Sequence, residues 1–255
     1  MARKVIVRKG VYIIPSLFTS GNIFCGFYAL VAAYKGAYEL AALAILIAII
    51  LDGLDGKVAR FANASSDFGI EYDSLADVIT FGVAPAFLIY SSFLKDLDRL
   101  GLLAAFLFTA CGALRLARFN LQAKDTQKTH FLGLPIPAAA GILASAVLLV
   151  GEWDGLDSRG EQVFFLVSVY LLAFLMVSNI RYRSFKQIEL RKRRPFHLLV
   201  VLLLAILVIA AIPQVMLFLL FLTYALSGPV EFLLPRSDGS VRRKILKRHS
   251  TNAEL

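Results

Sequence analysis

The chain has 255 residues, 58% of them hydrophobic, a mean hydropathy of +0.72 and a formal net charge of +9. The apolar residues come in blocks of about 20, the length that crosses a hydrocarbon core, whereas soluble domains interleave them with charge. This excludes a membrane anchor carrying a soluble domain. The positive excess sits in tails and alternate loops, not on the basic face of a soluble fold, so nucleic acid is not an expected partner.

Taken in chain order, the apolar blocks predict an all-α polytopic transmembrane bundle of about eight spans. They fall near 12–34, 37–63, 67–93, 98–122, 135–151, 160–180, 196–211 and 213–233. The first follows the basic residues Arg3, Lys4, Arg8 and Lys9 but is too long for a signal-peptide core and lacks a small-residue cleavage site after it, so it reads as a retained span. Cys25 and Cys111 lie inside apolar blocks and read as small buried hydrophobes without a disulfide. Pro213 divides the last apolar stretch into two helices. The residues after Pro235 form a basic polar tail, 236–255, attracted to anionic lipid, and residues 1–235 read as one membrane domain.

Of the 27 Lys and Arg, only Lys35, Lys95, Arg99 and Arg159 fall on one side of this arrangement. All the others fall on the opposite side, which the positive-inside rule assigns to the cytoplasm. Both termini and the 57–66 turn are therefore expected there, and the acidic loop from Glu152 to Asp157 outside.

The second span is apolar from Leu40 to Leu51 and then reads Asp52-Gly-Leu-Asp55-Gly56-Lys-Val-Ala59-Arg60. At 100° per residue Asp52, Asp55, Gly56 and Ala59 share one helical face. Carboxylates inside a span are costly and seldom kept without a function. The third span offers Gly69, Asp73 and Asp77 at intervals of four. With a turn tip near residue 65 and a rise of about 1.5 Å per residue, Asp55 and Asp73 lie roughly 15 and 12 Å from the tip. Asp52 and Asp77 lie roughly 20 and 18 Å from it, giving two tiers across one hairpin. Four acids this close require compensation, which a hard divalent cation on oxygen ligands supplies. Lys57 and Arg60 stand beside them, a combination suited to a phosphate-bearing substrate. The same cluster also reads as an ion or proton pathway, or as a structural salt-bridge network.

The pattern Asp52-x2-Asp55-Gly56-x2-Ala59-Arg60-x8-Gly69-x3-Asp73-x3-Asp77 resembles the signature of the CDP-alcohol phosphotransferases, with every fixed position present. Three further stretches resemble the integral-membrane phosphatidylserine synthases of that family. They are Pro15 to Gly26, Gly112 to Asn120 and Phe131 to Ala139. The resemblance implies a six-helix catalytic core, 12–180, with an extra helix pair at 196–233. It implies transfer of a phosphatidyl group from CDP-diacylglycerol, or an archaeol analogue, to L-serine with release of CMP. It also implies a multi-pass enzyme of the cell membrane with its site facing the cytoplasm, and family members often form homodimers.

By the same resemblance Asp52, Asp55 and Asp73 are ligands of Mg²⁺ or Mn²⁺. Asp77 is the general base and also touches metal. Gly56, Ala59 and Arg60 bind the nucleotide, and Gly69 permits close approach from the facing helix. Thr19 and Asn22, with Gly26 one turn on, either line the cytidine pocket or form a polar packing face. Arg115 and Arg118 either bind the serine carboxylate or substrate phosphates, or anchor the helix end at the membrane surface. Asn120 is a further hydrogen-bonding candidate. The 131–137 stretch either shapes the acceptor site or only starts a helix, and His130 and Arg181 are lesser candidates for substrate contact. Glycerol 3-phosphate or inositol as acceptor, and cation or proton transport, are the alternative functions.

Overall fold

A computed structural model of the chain describes residues 13–61, 67–123, 131–152, 158–182 and 212–233. The structure is helical almost throughout. Helices α1 (Ile13–Tyr34) and α2 (Tyr38–Phe61) form an antiparallel pair. Their turn is fixed by Gly36, whose φ of 77° closes α1: its N–H bonds to Ala33 O and the Ala37 N–H to Ala32 O. This pair of bonds satisfies carbonyls that the helix end would otherwise orphan. Ala29, Ala32, Ala33, Ala41, Ala44 and Ala48 are all buried, and these small side chains let the helix backbones approach closely.

The third span is a composite. It starts as α3 (Asp67–Asp77), passes through a π-helical segment (Val78–Val83) and α4 (Ala84–Ile89), and ends in a second π-helical segment (Tyr90–Leu94). A 3-10 turn (Lys95–Leu97) and Asp98, at φ 45°, reverse the chain into α5 (Asp98–Ala123), which packs back along the composite helix. By length and composition Phe68–Gln122 is one apolar helical run of 55 residues. Straight, it would extend about 80 Å, far beyond a core of about 30 Å, and the break at Asp98 divides it.

The remaining elements are a two-residue strand β1 (Phe131–Leu132), α6 (Ile136–Glu152), α7 (Ser158–Val177), a matching strand β2 (Arg181–Tyr182) and α8 (Pro213–Leu233). The two strands pair antiparallel, Phe131 opposite Tyr182. The α6 helix is central, packed by α2, α7 and α8, and is buried along most of its length from Ile136 to Leu148. Large apolar side chains such as Leu17, Phe24, Ile50, Phe106, Phe174 and Phe232 point outward. That distribution suits a bundle whose solvent is lipid. Among the described residues, four helical segments are long and apolar enough to cross a membrane: Ser16–Tyr34, Phe68–Gln122, Ser158–Val177 and Pro213–Leu233.

The helix ends agree closely with the apolar blocks read from the sequence. The seventh block, 196–211, and the tail, 236–255, lie outside the described residues. Cys25 and Cys111 are free and half-buried.

Gly133 ties the start of α6 to the end of α7. Its φ is 79°, its N–H bonds to Ile180 O, and a Cβ there would run into the Met176 carbonyl. Gly133→Ala is therefore expected to destabilise the protein by about 1–3 kcal/mol, from left-handed strain and the backbone clash. Gly53→Ala, where an added Cβ meets nothing, is the control and should not lower the apparent melting temperature in detergent. Equal melting temperatures for the two variants would refute the strain argument.

Candidate active site

The acidic positions of α2 and α3 meet where these helices pack beside α1. Ligand atoms of Asp52, Asp73 and Asp77 all lie within 4.8 Å of one another. Asp52 and Asp73 are half-buried and Asp77 is buried. Asp73, expected in the tier of Asp55, thus lies beside both Asp52 and Asp77. Gly69 is half-buried one turn before Asp73. The side chains of Asp55, Gly56, Ala59 and Arg60 lie outside the described residues, although their backbone continues α2.

Several contacts hold the acid-bearing helix. Asn22 of α1, fully buried, donates from Nδ2 to Asp77 Oδ1 at 3.4 Å. One turn earlier on α1, Thr19 is also buried. Thr80 Oγ1 donates to the Asn22 carbonyl at 3.1 Å. Gly26 lies against Thr80, where a Cβ would come within 2.5 Å of the Thr80 hydroxyl and 2.8 Å of its Cα. Thus Asn22 and Gly26 belong to a polar packing face, and that face sets the orientation of Asp77. The π-helical segment begins directly after Asp77 and carries Thr80, Phe81 and Gly82 inward. Such segments occur often at functional sites because they re-aim side chains. Residues on either side of Asp73 are pinned as well: the Tyr72 and Ser20 hydroxyls are 3.0 Å apart, and Asn120 Nδ2 donates to Ser74 Oγ at 2.8 Å.

The two arginines of α5 separate. Arg118 donates to Val177 O at 3.3 Å and to Asn179 Oδ1 at 2.6 Å, closing the C-terminal end of α7. Arg115 is 8% exposed, within electrostatic range of Asp77, with its guanidinium 5.6 Å from the centre of the Phe119 ring. The 131–137 stretch is knitted to α7 by Gly133, by Leu134 N–H to Leu175 O, and by the β1–β2 pair. Its Pro135 carbonyl accepts from Ala138 and Ala139 at the start of α6. His130 and the Arg181 side chain lie outside the described residues.

Three buried polar atoms in this region have no hydrogen-bond partner among the described residues: Asp73 Oδ1, Asn22 Oδ1 and Arg115 Nε. Buried polar groups are rarely left so. Two are oxygen acceptors beside the acid cluster and one is a cationic donor, so a bound group offering both a cation and an anion would satisfy all three.

Thr80 and the role of Asn22 as a partner of Asp77 were not recognisable from the sequence. The only signal was that both are polar residues in apolar spans. Nothing in a linear pattern set Arg115 apart from Arg118, because the difference depends on where the end of α7 falls.

Residues 12–177 match the family model described as CDP-alcohol phosphatidyltransferase. Among curated relatives, a CDP-diacylglycerol–serine O-phosphatidyltransferase of Helicobacter pylori is 44% identical over 178 residues, 70% of this chain and 75% of the relative. The protein of the same name from Bacillus subtilis is 37% identical over 174 residues, 68% of this chain and 92% of its own. An archaetidylserine synthase of Methanothermobacter thermautotrophicus is 37% identical over 171 residues, 66% of this chain and 69% of its own. Taken with the convergence of Asp52 of α2 with Asp73 and Asp77 of α3, this likeness makes the chain a member of the CDP-alcohol phosphatidyltransferase family.

Proposed function

We propose that this protein transfers a phosphatidyl group from a CDP-linked lipid, CDP-diacylglycerol or its archaeol analogue, to the hydroxyl of L-serine, with release of CMP. The observation that carries this reading is the convergence of three carboxylates within 4.8 Å in an apolar bundle, in a chain whose curated relatives are named for that transfer to serine or, in the archaeal case, as an archaetidylserine synthase.

The donor set fits a hard divalent cation, Mg²⁺ or Mn²⁺: the three described acids offer only oxygen, and Asp73 Oδ1 is buried without a partner. Asp52, Asp55 and Asp73 would hold it, with Asp77 at the edge of the set. When bound, such an ion withdraws charge from a diphosphate and improves CMP as a leaving group. The chain's own residues do the rest. Asp77, oriented by Asn22, accepts the proton of the serine hydroxyl. The serine oxygen forms a bond to the lipid-side phosphorus as the bond from that phosphorus to the CMP oxygen breaks. This is one displacement, without a covalent lipid–enzyme intermediate. Gly56, Ala59 and Arg60 contact the cytidine nucleotide, with Thr19 on the facing helix and Gly69 leaving room for it. Arg115, buried with an unpartnered Nε, takes the serine carboxylate, while Arg118 supports the fold through α7. The distribution of the 27 Lys and Arg supports eight spans, with both termini and the acid cluster at the cytoplasmic face.

The direct test is CMP release by the purified protein from CDP-diacylglycerol, with serine, glycerol 3-phosphate or inositol supplied singly. Release that needs serine and is abolished by EDTA is the expected result. Release with another acceptor would overturn the choice of serine, and cation flux across vesicles without CMP would overturn the transferase reading.

Asp77→Asn is expected to lower kcat by about 10²–10⁴-fold while Mn²⁺ and CDP-lipid binding, followed by calorimetry, stay near wild type. Asp55→Asn should weaken Mn²⁺ binding itself. Near-native turnover in Asp77→Asn would remove it from the role of base.

A further inference from the structure

Asn22 sits beside Asp77 with one half of its amide in use. Its Nδ2 donates to Asp77 Oδ1 at 3.4 Å, whereas its Oδ1 has no hydrogen-bond partner among the described residues. The two ends are not interchangeable. An ionised carboxylate only accepts, so the amide turns its nitrogen to Asp77 and leaves its oxygen over. Asn22 is fully buried in an apolar bundle, where a polar atom without a partner is costly and rare. Its backbone is fixed from the other side. Thr80 Oγ1 donates to the Asn22 carbonyl at 3.1 Å, and Gly26, one turn further along α1, lies against Thr80. Only the terminal torsion of Asn22 stays soft, which lets Oδ1 turn to an incoming donor while Nδ2 keeps Asp77.

The missing partner is a hydrogen-bond donor that arrives with a substrate. Asp77 is the acid assigned to the acceptor hydroxyl, so the group that comes beside Asn22 is the acceptor alcohol. The two polar atoms of an amide are about 2.3 Å apart, which puts Asn22 Oδ1 within about 6 Å of Asp77 Oδ1. In serine the hydroxyl oxygen and the ammonium nitrogen sit on neighbouring carbons, about 3 Å apart when gauche. With hydrogen bonds of about 2.8 Å, one serine spans both acceptors. Its hydroxyl meets Asp77 and its ammonium, which has three donors and no acceptor, meets Asn22. A neutral acceptor suits this place. A fourth carboxylate would add to the repulsion among Asp52, Asp73 and Asp77, whose ligand atoms already lie within 4.8 Å of one another.

We infer that Asn22 is a specificity-determining residue whose Oδ1 accepts a hydrogen bond from the α-ammonium of serine. The inference rests on the reading above of serine as acceptor and Asp77 as base. Neither glycerol 3-phosphate nor inositol carries an ammonium, so this one contact separates serine from both.

The test uses the full chain in detergent and the serine-dependent release of CMP. Without that release the reading above falls and the inference falls with it. 3-Hydroxypropionate keeps the hydroxyl and carboxylate of serine and lacks only the ammonium. Against wild-type protein its inhibition constant should exceed the serine KM by about tenfold or more, the effect of losing one hydrogen bond to a charged group. Asn22→Leu, close in size and apolar, should raise the serine KM by about tenfold and leave the inhibition constant of 3-hydroxypropionate and the KM for CDP-diacylglycerol unchanged. It should also lower kcat, because the bond to Asp77 is lost. Asn22→Ser, too short to reach either partner, should lose the preference for serine in the same way and serves if the leucine does not fold. If wild-type protein binds serine and 3-hydroxypropionate equally well, the inference is overturned and serine transfer stands. A lowered kcat with an unchanged serine KM would leave Asn22 as an orienting partner of Asp77 alone, which also overturns it. So would an intact preference for serine together with a raised KM for CDP-diacylglycerol or weakened Mn²⁺ binding by calorimetry, since Oδ1 would then serve the nucleotide or the metal.

Discussion

Mutual repulsion among carboxylates is the constraint around which this bundle is built. Two unit charges 4.8 Å apart repel by about 3.5 kcal/mol at an effective dielectric near 20. Three such pairs sum to about 10 kcal/mol, comparable to the whole stability of a typical domain. An arrangement of that kind persists only if the charge is compensated. The compensation has two sources: the buried Arg115 near Asp77, and a divalent cation in the proposed reading. Packing supplies the stiffness that keeps the acids together. The alanine-lined α1–α2 contact, the close approach of Gly26 to Thr80, and the clamps on Tyr72 and Ser74 all limit how far α3 can move away from α2.

Much of this is legible in the linear chain because the two strongest signals are periodic. Apolar blocks long enough to span a bilayer mark α1, α2, α5, α7 and α8 within a few residues of their ends. The spacing of Asp52, Asp73 and Asp77 places them on facing stripes once the helices pair. The less legible features depend on events that have no period. A π-helical segment after Asp77 follows from packing against α1, and no run of residues in 78–83 announces it. The grouping of Asp73 with Asp52 and Asp77 was also not legible. Rise per residue fixes heights along ideal helices, whereas the side chains of Asp52, Asp73 and Asp77 reach toward one another across the pair.

The separation of Arg115 from Arg118 shows the same limit at one residue pair. Both are α5 residues, three apart, so they point in related directions and look equivalent in the sequence. The C-terminal end of α7 lies beside Arg118 and offers the Val177 carbonyl and Asn179. A carbonyl at a helix end lacks an intrahelical partner and attracts a cation. Arg118 is thereby consumed in closing the bundle, and Arg115 is left as the buried cation with an unpartnered donor.

The position of Arg115 bears on how one chemistry serves different acceptors. In the proposed reading the signature on α2 and α3 handles the groups common to such reactions, a diphosphate and a nucleotide, so it carries no information about the alcohol. Discrimination among alcohols requires a polar group that is left unpaired when the wrong one enters, since buried polar sites reject a mismatch far more strongly than apolar pockets do. In the proposed reading Arg115 is such a group: it is buried and its Nε lacks a partner among the described residues. A neutral alcohol such as inositol would bring no charge to balance that guanidinium, whereas an amino-acid carboxylate would. Glycerol 3-phosphate is also an anion, so charge alone does not separate it from serine, and the direction in which the guanidinium is held must contribute. Phe119, on the same helix, lies against that guanidinium and limits the directions it can take.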